Sequence, residues 1–167
     1  IVTVTLLTPS IMQNQFQYSA HDALQANSIA IVCLTAGCIF WGWLADKIGA
    51  YRVLMLGSTL LALASFAFYQ SLPSDLNHTI ILYSALGFSL GSVAVVPMIL
   101  VALFPPAVRY TGFSFSYNVA YSIFGGFTPI LIALWLKADI LAPAHYLALV
   151  CVIAFGLAIY LMAKKQA

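Results

Sequence analysis

Long apolar stretches separated by brief polar breaks run the length of the chain. They lie at residues 1–15, 23–45, 53–70, 79–103, 112–136 and 144–163. Backbone groups in a bilayer core have no water to bond, so such runs must satisfy their hydrogen bonds internally, as helices. All but the first reach about 18–26 residues, enough to cross a hydrocarbon layer of roughly 30 Å. The first is shorter and holds Pro9. The breaks carry turn-forming and helix-ending residues at Ser19–Asp22, Ser71–Asp75, Phe104–Pro106 and Ala142–Pro143. The pattern predicts an all-α membrane protein of six transmembrane helices.

Composition agrees with this. Hydrophobic residues make up 63% of the chain and charged residues 6%, against about 25% charged in an ordinary soluble domain. Mean hydropathy is +1.04. The bilayer is thus the expected solvent. A net charge of +2, with no glycine-rich phosphate loop and no basic stripe, excludes nucleic acid as a partner. No basic region precedes the opening segment IVTVTLLTPSIM, as a signal peptide would require. With no initiating methionine, a piece of a longer polypeptide is the expectation. Cys33, Cys38 and Cys151 sit within apolar runs and read as small hydrophobes. No cofactor is expected.

Six spans sort the basic residues. Lys47, Arg52, Arg109, Lys164 and Lys165 fall on one side and only Lys137 on the other. The positive-inside rule makes the first side cytoplasmic. His21, His78 and His145, with Asp22, Asp75 and Asp139, fall outside. The histidine spacings match no ligand motif, and each residue precedes or begins a span at headgroup level, so no metal site is expected.

The spans differ in which faces are polar. The third and sixth carry almost nothing that needs water and suit lipid-facing positions. On the fifth, Ser114, Asn118, Tyr121 and Gly125 recur at i, i+4, i+7 and i+11, one stripe of a helix. The Asn118 amide should face protein or a wet cavity, and hydrogen bonding to a neighbouring helix is an equal alternative. The fourth span's stripe, Ser84, Gly87, Gly91 and Ala94, allows close helix approach, and Pro97 predicts a kink. Gly125 and Gly126 join Gly87 and Gly91 as candidate packing residues. Gln13, Asn14, Gln15 and Gln17 cluster at the outer end of the first span, with Gln13 and Asn14 as cavity candidates. No span holds a charged residue or histidine at its middle, and glutamate is absent, so groups that relay protons should lie elsewhere.

One enzymatic alternative arises. Residues 87–91, GFSLG, match GxSxG, and six-helix intramembrane serine proteases keep a serine on the fourth helix and a histidine on the sixth, here Ser89 and His145. Depth opposes it. His145 begins its span whereas Ser89 lies ten residues into its own, a mismatch of about 15 Å at the helical rise, against roughly 3 Å for a base on its nucleophile. A non-enzyme is expected.

The stretch GWLADKIGAYR at residues 42–52 concentrates three of the ten charges. Gly42-x-x-x-Asp46-Lys47-x-Gly49 between two spans resembles the signature loop of the major facilitator superfamily. LFPPAVRYTG at 103–112, NVAYSIFGGFTP at 118–129 and LTPSIMQNQFQYS at 7–19 resemble its metabolite–proton symporters, which include proline/betaine, α-ketoglutarate, shikimate and citrate permeases. The likeness covers nearly the whole chain. It departs where Ala50 and Tyr51, rather than two basic residues, follow Gly49. The resemblance implies the C-terminal six-helix half of such a transporter, built as two three-helix inverted repeats. Its first, second, fourth and fifth helices would border a cavity and its third and sixth would lie at the periphery. It further implies alternating access in a bacterial inner membrane, a small polar osmolyte or organic acid as substrate, proton coupling, and the missing N-terminal half as partner. Asp46, the only acid on the cytoplasmic face, should pair with Lys47, Arg52, Arg109 or a helix end of that half. Gly42 would admit the partner helix and Gly49 would permit the turn, the whole loop with Arg52 and Arg109 acting as a cytoplasmic gate.

Overall fold

The structure is a computed structural model describing residues 1–72 and 75–166, the side chains of residues 165 and 166 apart. Pro73 and Ser74 of the third connector, and the Lys165 side chain, therefore lie outside the described residues. A π-helical turn, Thr3–Leu7, leads into α1 (Thr8–Phe16). Next come α2 (Ala20–Ile48) and α3 (Ala50–Ser71). Helix α4 (Leu76–Leu90) continues through a 3-10 turn (Gly91–Ala94) into α5 (Val95–Leu103). A short 3-10 turn (Pro106–Val108) precedes α6 (Arg109–Trp135), and α7 covers Ala142–Gln166. Among the described residues five helical units, α2, α3, α4–α5, α6 and α7, are long and apolar enough to cross a membrane. The opening helix, five π-helical and nine α-helical residues, is shorter.

Helix ends move outward from the expected breaks for local reasons. Ser19 ends the connector and caps α2, its hydroxyl accepting the Asp22 N–H at 3.1 Å and donating to the Asp22 carboxylate at 2.7 Å, so Ala20, His21 and Asp22 belong to the helix. Helix therefore begins at Ala20. Pro143 likewise falls in the first turn of α7, where no N–H is needed. Pro97 is the third residue of α5, which restarts after the 3-10 turn so that the proline again occupies a first turn.

Helix α2 packs along α4, and α3 packs against α4 and α7. The α2–α4 seam is built from residues without bulk. A Cβ on Gly91 would lie 2.5 Å from the Gly37 carbonyl carbon, one on Gly37 2.4 Å from the Phe88 carbonyl oxygen, and one on Gly87 2.3 Å from the Ala30 carbonyl oxygen. Backbones this close gain dispersion contact that bulkier residues would deny them. The Trp41 indole N–H donates across the seam to the Phe88 carbonyl at 3.0 Å. By contrast, a Cβ on Gly125 or Gly126 would meet nothing within 4 Å, so neither glycine packs helices within this chain.

The third span is not simply lipid-facing. Eight residues of α3, among them Val53, Gly57, Leu61, Phe68 and Tyr69, are buried against its neighbours, because their row faces α4 and α7. Leu56, Leu60 and Leu63 form its exposed apolar row. Helix α7 conforms better, its buried positions including Leu147, Cys151 and Ala158 while most others are exposed. Helix α6 is loosely attached, touching α5, α7 and the π-turn, with only Thr128 and Ile132 buried.

These contacts predict opposite signs for two glycine-to-alanine changes. Gly91→Ala drives a methyl into α2 backbone and should lower the melting temperature of the full-length protein. Gly156→Ala, with open space around it, should leave it unchanged or raise it by the helix-propensity difference of roughly 0.5–1 kcal/mol. Equal shifts in thermal unfolding would remove the seam from the account of stability.

Candidate functional site

Helix α6 carries the predicted stripe. Ser114 and Asn118 are brought together: the Asn118 amide N–H donates to the Ser114 carbonyl at 2.7 Å and reaches the Ser114 hydroxyl at 3.4 Å. The amide thus bonds its own helix, and the interhelical alternative is not what it makes here. Tyr121 joins a partner that the sequence did not single out. Phe113, Tyr117 and Tyr121, one turn apart, stack with centroids 5.4 and 4.7 Å apart and planes within 30°. The periodicity that found Ser114 and Asn118 could have found this neighbouring row, but aromatic rings in an apolar span drew no attention. Asn118 and Tyr121 are both exposed within the chain.

Gln13 and Asn14 lie near the end of α1. Asn14 donates to Ser10 on its own helix at 3.1 Å, and among the described residues no hydrogen bond joins α1 to α6. Deeper in the same span sits a buried polar cluster that sequence reasoning missed altogether. In the π-turn the Thr8 N–H bonds back five residues to the Thr3 carbonyl. The next bond of that register would reach from residue 9 to the Val4 carbonyl, and Pro9 has no N–H to give. The Tyr83 hydroxyl of α4 donates to the Val4 carbonyl instead. That hydroxyl also lies 2.7 Å from the Asn27 side chain of α2. Beside it, the Thr8 hydroxyl donates to the Thr3 carbonyl at 3.0 Å and meets the Tyr69 hydroxyl of α3 at 2.7 Å. Phe68 stacks on Tyr83 at 4.7 Å. Four helices are thereby tied to one irregular turn, and only Pro9 signalled it in the sequence.

At the basic end, one residue links α2 to α3. Gly49 adopts φ 95° and ψ 142°, a backbone conformation that glycine adopts without strain. Asp46 is exposed and forms no ion pair among the described residues. This corrects the expected partners within the chain. Lys47 places its ammonium 3.9 Å from the Trp43 ring centroid, a cation–π contact. Arg109 donates from Nε to the Phe104 carbonyl at 3.2 Å, so its charge serves the C-terminal end of α5, where carbonyls are unpaired. Arg52 turns its exposed side chain to a hollow beside α7. Around Gly42 a Cβ would meet nothing within 4 Å.

The same region explains why FPPAVRYTG folds as a unit. A Cβ on Gly112 would lie 2.6 Å from the Phe104 ring. Gly112 therefore lets Phe104 lie against the start of α6, which holds its carbonyl in reach of Arg109. Pro105 and Pro106 break the helix between them.

The protease alternative gains no support. Ser89 is buried and donates to the Ala85 carbonyl of its own helix at 2.7 Å. His145 is held at its own end of the bundle, Nδ1 2.8 Å from the Asp139 carboxylate, with its ring against Trp135 and Phe66. His21 lies 3.5 Å from Asp22. Among the described residues no three metal-ligating side chains converge.

All-helical among its described residues, with five helices able to cross a membrane, the chain is an integral multi-pass membrane protein. It belongs to the major facilitator superfamily, whose family model matches residues 1–167. Curated relatives include a "Putative proline/betaine transporter" of Staphylococcus aureus (strain COL), 35% identical over 161 residues, 91% of this chain and 34% of that protein. The "Inner membrane metabolite transport protein YhjE" of Escherichia coli (strain K12) is 43% identical over 101 residues, 59% of this chain and 23% of that one. The "Citrate-proton symporter" of Klebsiella pneumoniae is 26% identical over 173 residues, 97% of this chain and 38% of that one. These names are consistent with the symporter family that FPPAVRYTG resembles. The chain spans no more than about two fifths of the length of these relatives. No solved structure matches it at a significant level.

The polar cluster generates a ranking. Tyr83→Phe strips the Val4 carbonyl of the hydroxyl that donates to it and should destabilise the full-length protein by about 1–3 kcal/mol, the cost of a buried unsatisfied group. Tyr69→Phe leaves Thr8 its bond to Thr3 and should shift thermal unfolding less. The reverse order would mean that the Val4 carbonyl has another donor.

Proposed function

We propose that this chain is the C-terminal six-helix half of a secondary transporter that moves a small polar osmolyte or organic acid across a bacterial cytoplasmic membrane by proton symport. The observation that carries the proposal is the uncovered face of α6. A transmembrane helix holding Ser114, Asn118 and a stack of three aromatic rings is ill suited to lipid, yet this chain buries only Thr128 and Ile132 of it. A second six-helix half would cover that face and enclose a cavity. Names given to relatives that transport proline/betaine, metabolites or citrate with protons support the substrate class.

The spans place no cation at depth, so the counter-charge for an anionic substrate would come from the other half. The faces of Phe113, Tyr117 and Tyr121 attract cationic groups, which favours a zwitterion carrying an ammonium. Proton-relay groups also belong to the other half, since among the described residues the carboxylates and histidines of the spans lie at their ends and none at the middle. The two halves would rock about the shared cavity, with the C-terminus and the basic end in the cytoplasm, as the distribution of Lys47, Arg52, Arg109 and Lys164 supports.

Asp46 fits a contact between halves. It lacks an ion pair among the described residues, and the open space at Gly42 one turn earlier leaves room for a helix from outside the chain. A carboxylate at a helix C-terminus is disfavoured by about 0.3–1 kcal/mol, and a helix N-terminus of the other half would reverse that.

Two experiments on the full-length transporter test these proposals. Asn118→Ala and Tyr121→Ala should each raise the half-saturating substrate concentration from a few-fold to about tenfold, the loss of about 0.5–1.5 kcal/mol of binding. Unchanged affinity with a lowered melting temperature would assign both residues to packing. Asp46→Asn and Gly42→Leu, with surface expression matched to wild type, should slow uptake and alter the labelling of cysteines on the cytoplasmic side. Wild-type values for both variants would reduce the loop to a solvated turn.

A further inference from the structure

A groove runs between α3 and α7 at the basic end of the bundle. Two hollows form it, of about 460 and 280 Å³, sharing Thr59 and Phe155 as walls. Arg52, Met55 and Met162 bound the wider one, and Leu63, Cys151 and Val152 the narrower. The walls offer no free polar group to a solute. Ser58 and Thr59 both donate to the Met55 carbonyl of their own helix, at 3.0 and 2.9 Å. What fits such a surface is hydrocarbon. From Arg52 to Leu63 the helix rises by about 16 Å, half of a hydrocarbon layer of roughly 30 Å and so the depth of one leaflet.

The mouth of the groove is different. Arg52 is the third residue of α3 and exposed, and its guanidinium makes no hydrogen bond or ion pair with any described residue. The other cations here are differently placed: Lys47 lies over Trp43, Arg109 serves the Phe104 carbonyl, and Lys164 and Lys165 fall in the last turn of the helix that forms the far wall. Against these four and Arg52 stands the single acid Asp46. A planar, unpaired guanidinium at headgroup depth is suited to a phosphate, which it can bind through two parallel hydrogen bonds. The surplus of positive charge selects a lipid with net negative charge.

We propose that the α3–α7 groove is a binding site for an anionic phospholipid, with its phosphate on Arg52 and one acyl chain laid along Thr59 and Leu63 against Phe155 and Val152. The site is separate from the α6 face and does not depend on the transported substrate.

The test is native mass spectrometry of the full-length transporter titrated with phosphatidylglycerol and, separately, with phosphatidylcholine of the same acyl chains. Wild type should retain phosphatidylglycerol in preference. Arg52→Gln should weaken phosphatidylglycerol binding on the order of tenfold, the loss of one charge-assisted pair, and leave phosphatidylcholine unchanged. Thr59→Trp, which fills the groove, should lower retention of both lipids. Val152→Trp, an exposed wall position on the other helix, should do the same should Thr59→Trp not fold. Lys137→Gln, at the opposite end, should alter neither. Undiminished preference in Arg52→Gln, full retention in the filled-groove variants, or no lipid held by the wild type would each overturn the proposal; the last would mean that a helix of the other half closes the groove.

Discussion

Backbone carbonyls inside a bilayer have no water to turn to, and the prolines of this chain bring that constraint to the surface. Each proline removes one N–H from a helix and leaves one carbonyl without its donor. Pro97 and Pro143 avoid the difficulty by standing in the first turn of a helical segment. Pro9 stands in the first turn of α1, but the helix runs on above it as a π-turn, and the Val4 carbonyl is left for Tyr83 to bond. Among the described residues Pro129 alone sits in a helix interior, four residues after Gly125. The buried contact of Tyr83 with Val4 thus follows from where Pro9 falls.

Most other polar side chains look after their own helix. Ser28, Thr35, Thr59, Ser84 and Ser89 each donate to the carbonyl four residues earlier. Asn118 does the same with its amide. Among the described residues, bonds between helices are few and specific: Trp41 to Phe88, Tyr83 to Val4, Tyr83 with Asn27, Thr8 with Tyr69 and Thr128 with Tyr146. Adhesion along α2 and α4 therefore rests on close backbone approach at Gly37, Gly87 and Gly91, since apolar surface gains little by leaving lipid for protein.

The spans were legible because hydrophobic length is a one-dimensional signal. Their ends were less so: Ser19 reads as a turn residue until its hydroxyl is seen bonding the Asp22 N–H. The GxxxG pair at Gly87 and Gly91 marks a face, but the sequence does not say that Gly37 and Ala30 lie opposite. At the candidate site, Ser114 and Asn118 were visible as a periodic stripe, whereas the bond between them depends on a rotamer. The Thr3–Thr8–Tyr69 and Val4–Tyr83–Asn27 contacts join residues up to 79 positions apart, beyond the reach of any local pattern. Asp46 shows the opposite case, an acid whose charge demands a partner that this chain does not provide among its described residues.

Gly49 has a consequence for how such a protein is made. One residue between two membrane-crossing helices leaves no slack for α2 to settle before α3 emerges from the ribosome. The pair must insert as a single helical hairpin, and its two members must fit the bilayer with their basic-end turns at one depth. A tag or loop inserted at this position would meet that geometry at synthesis, before any question of transport arises.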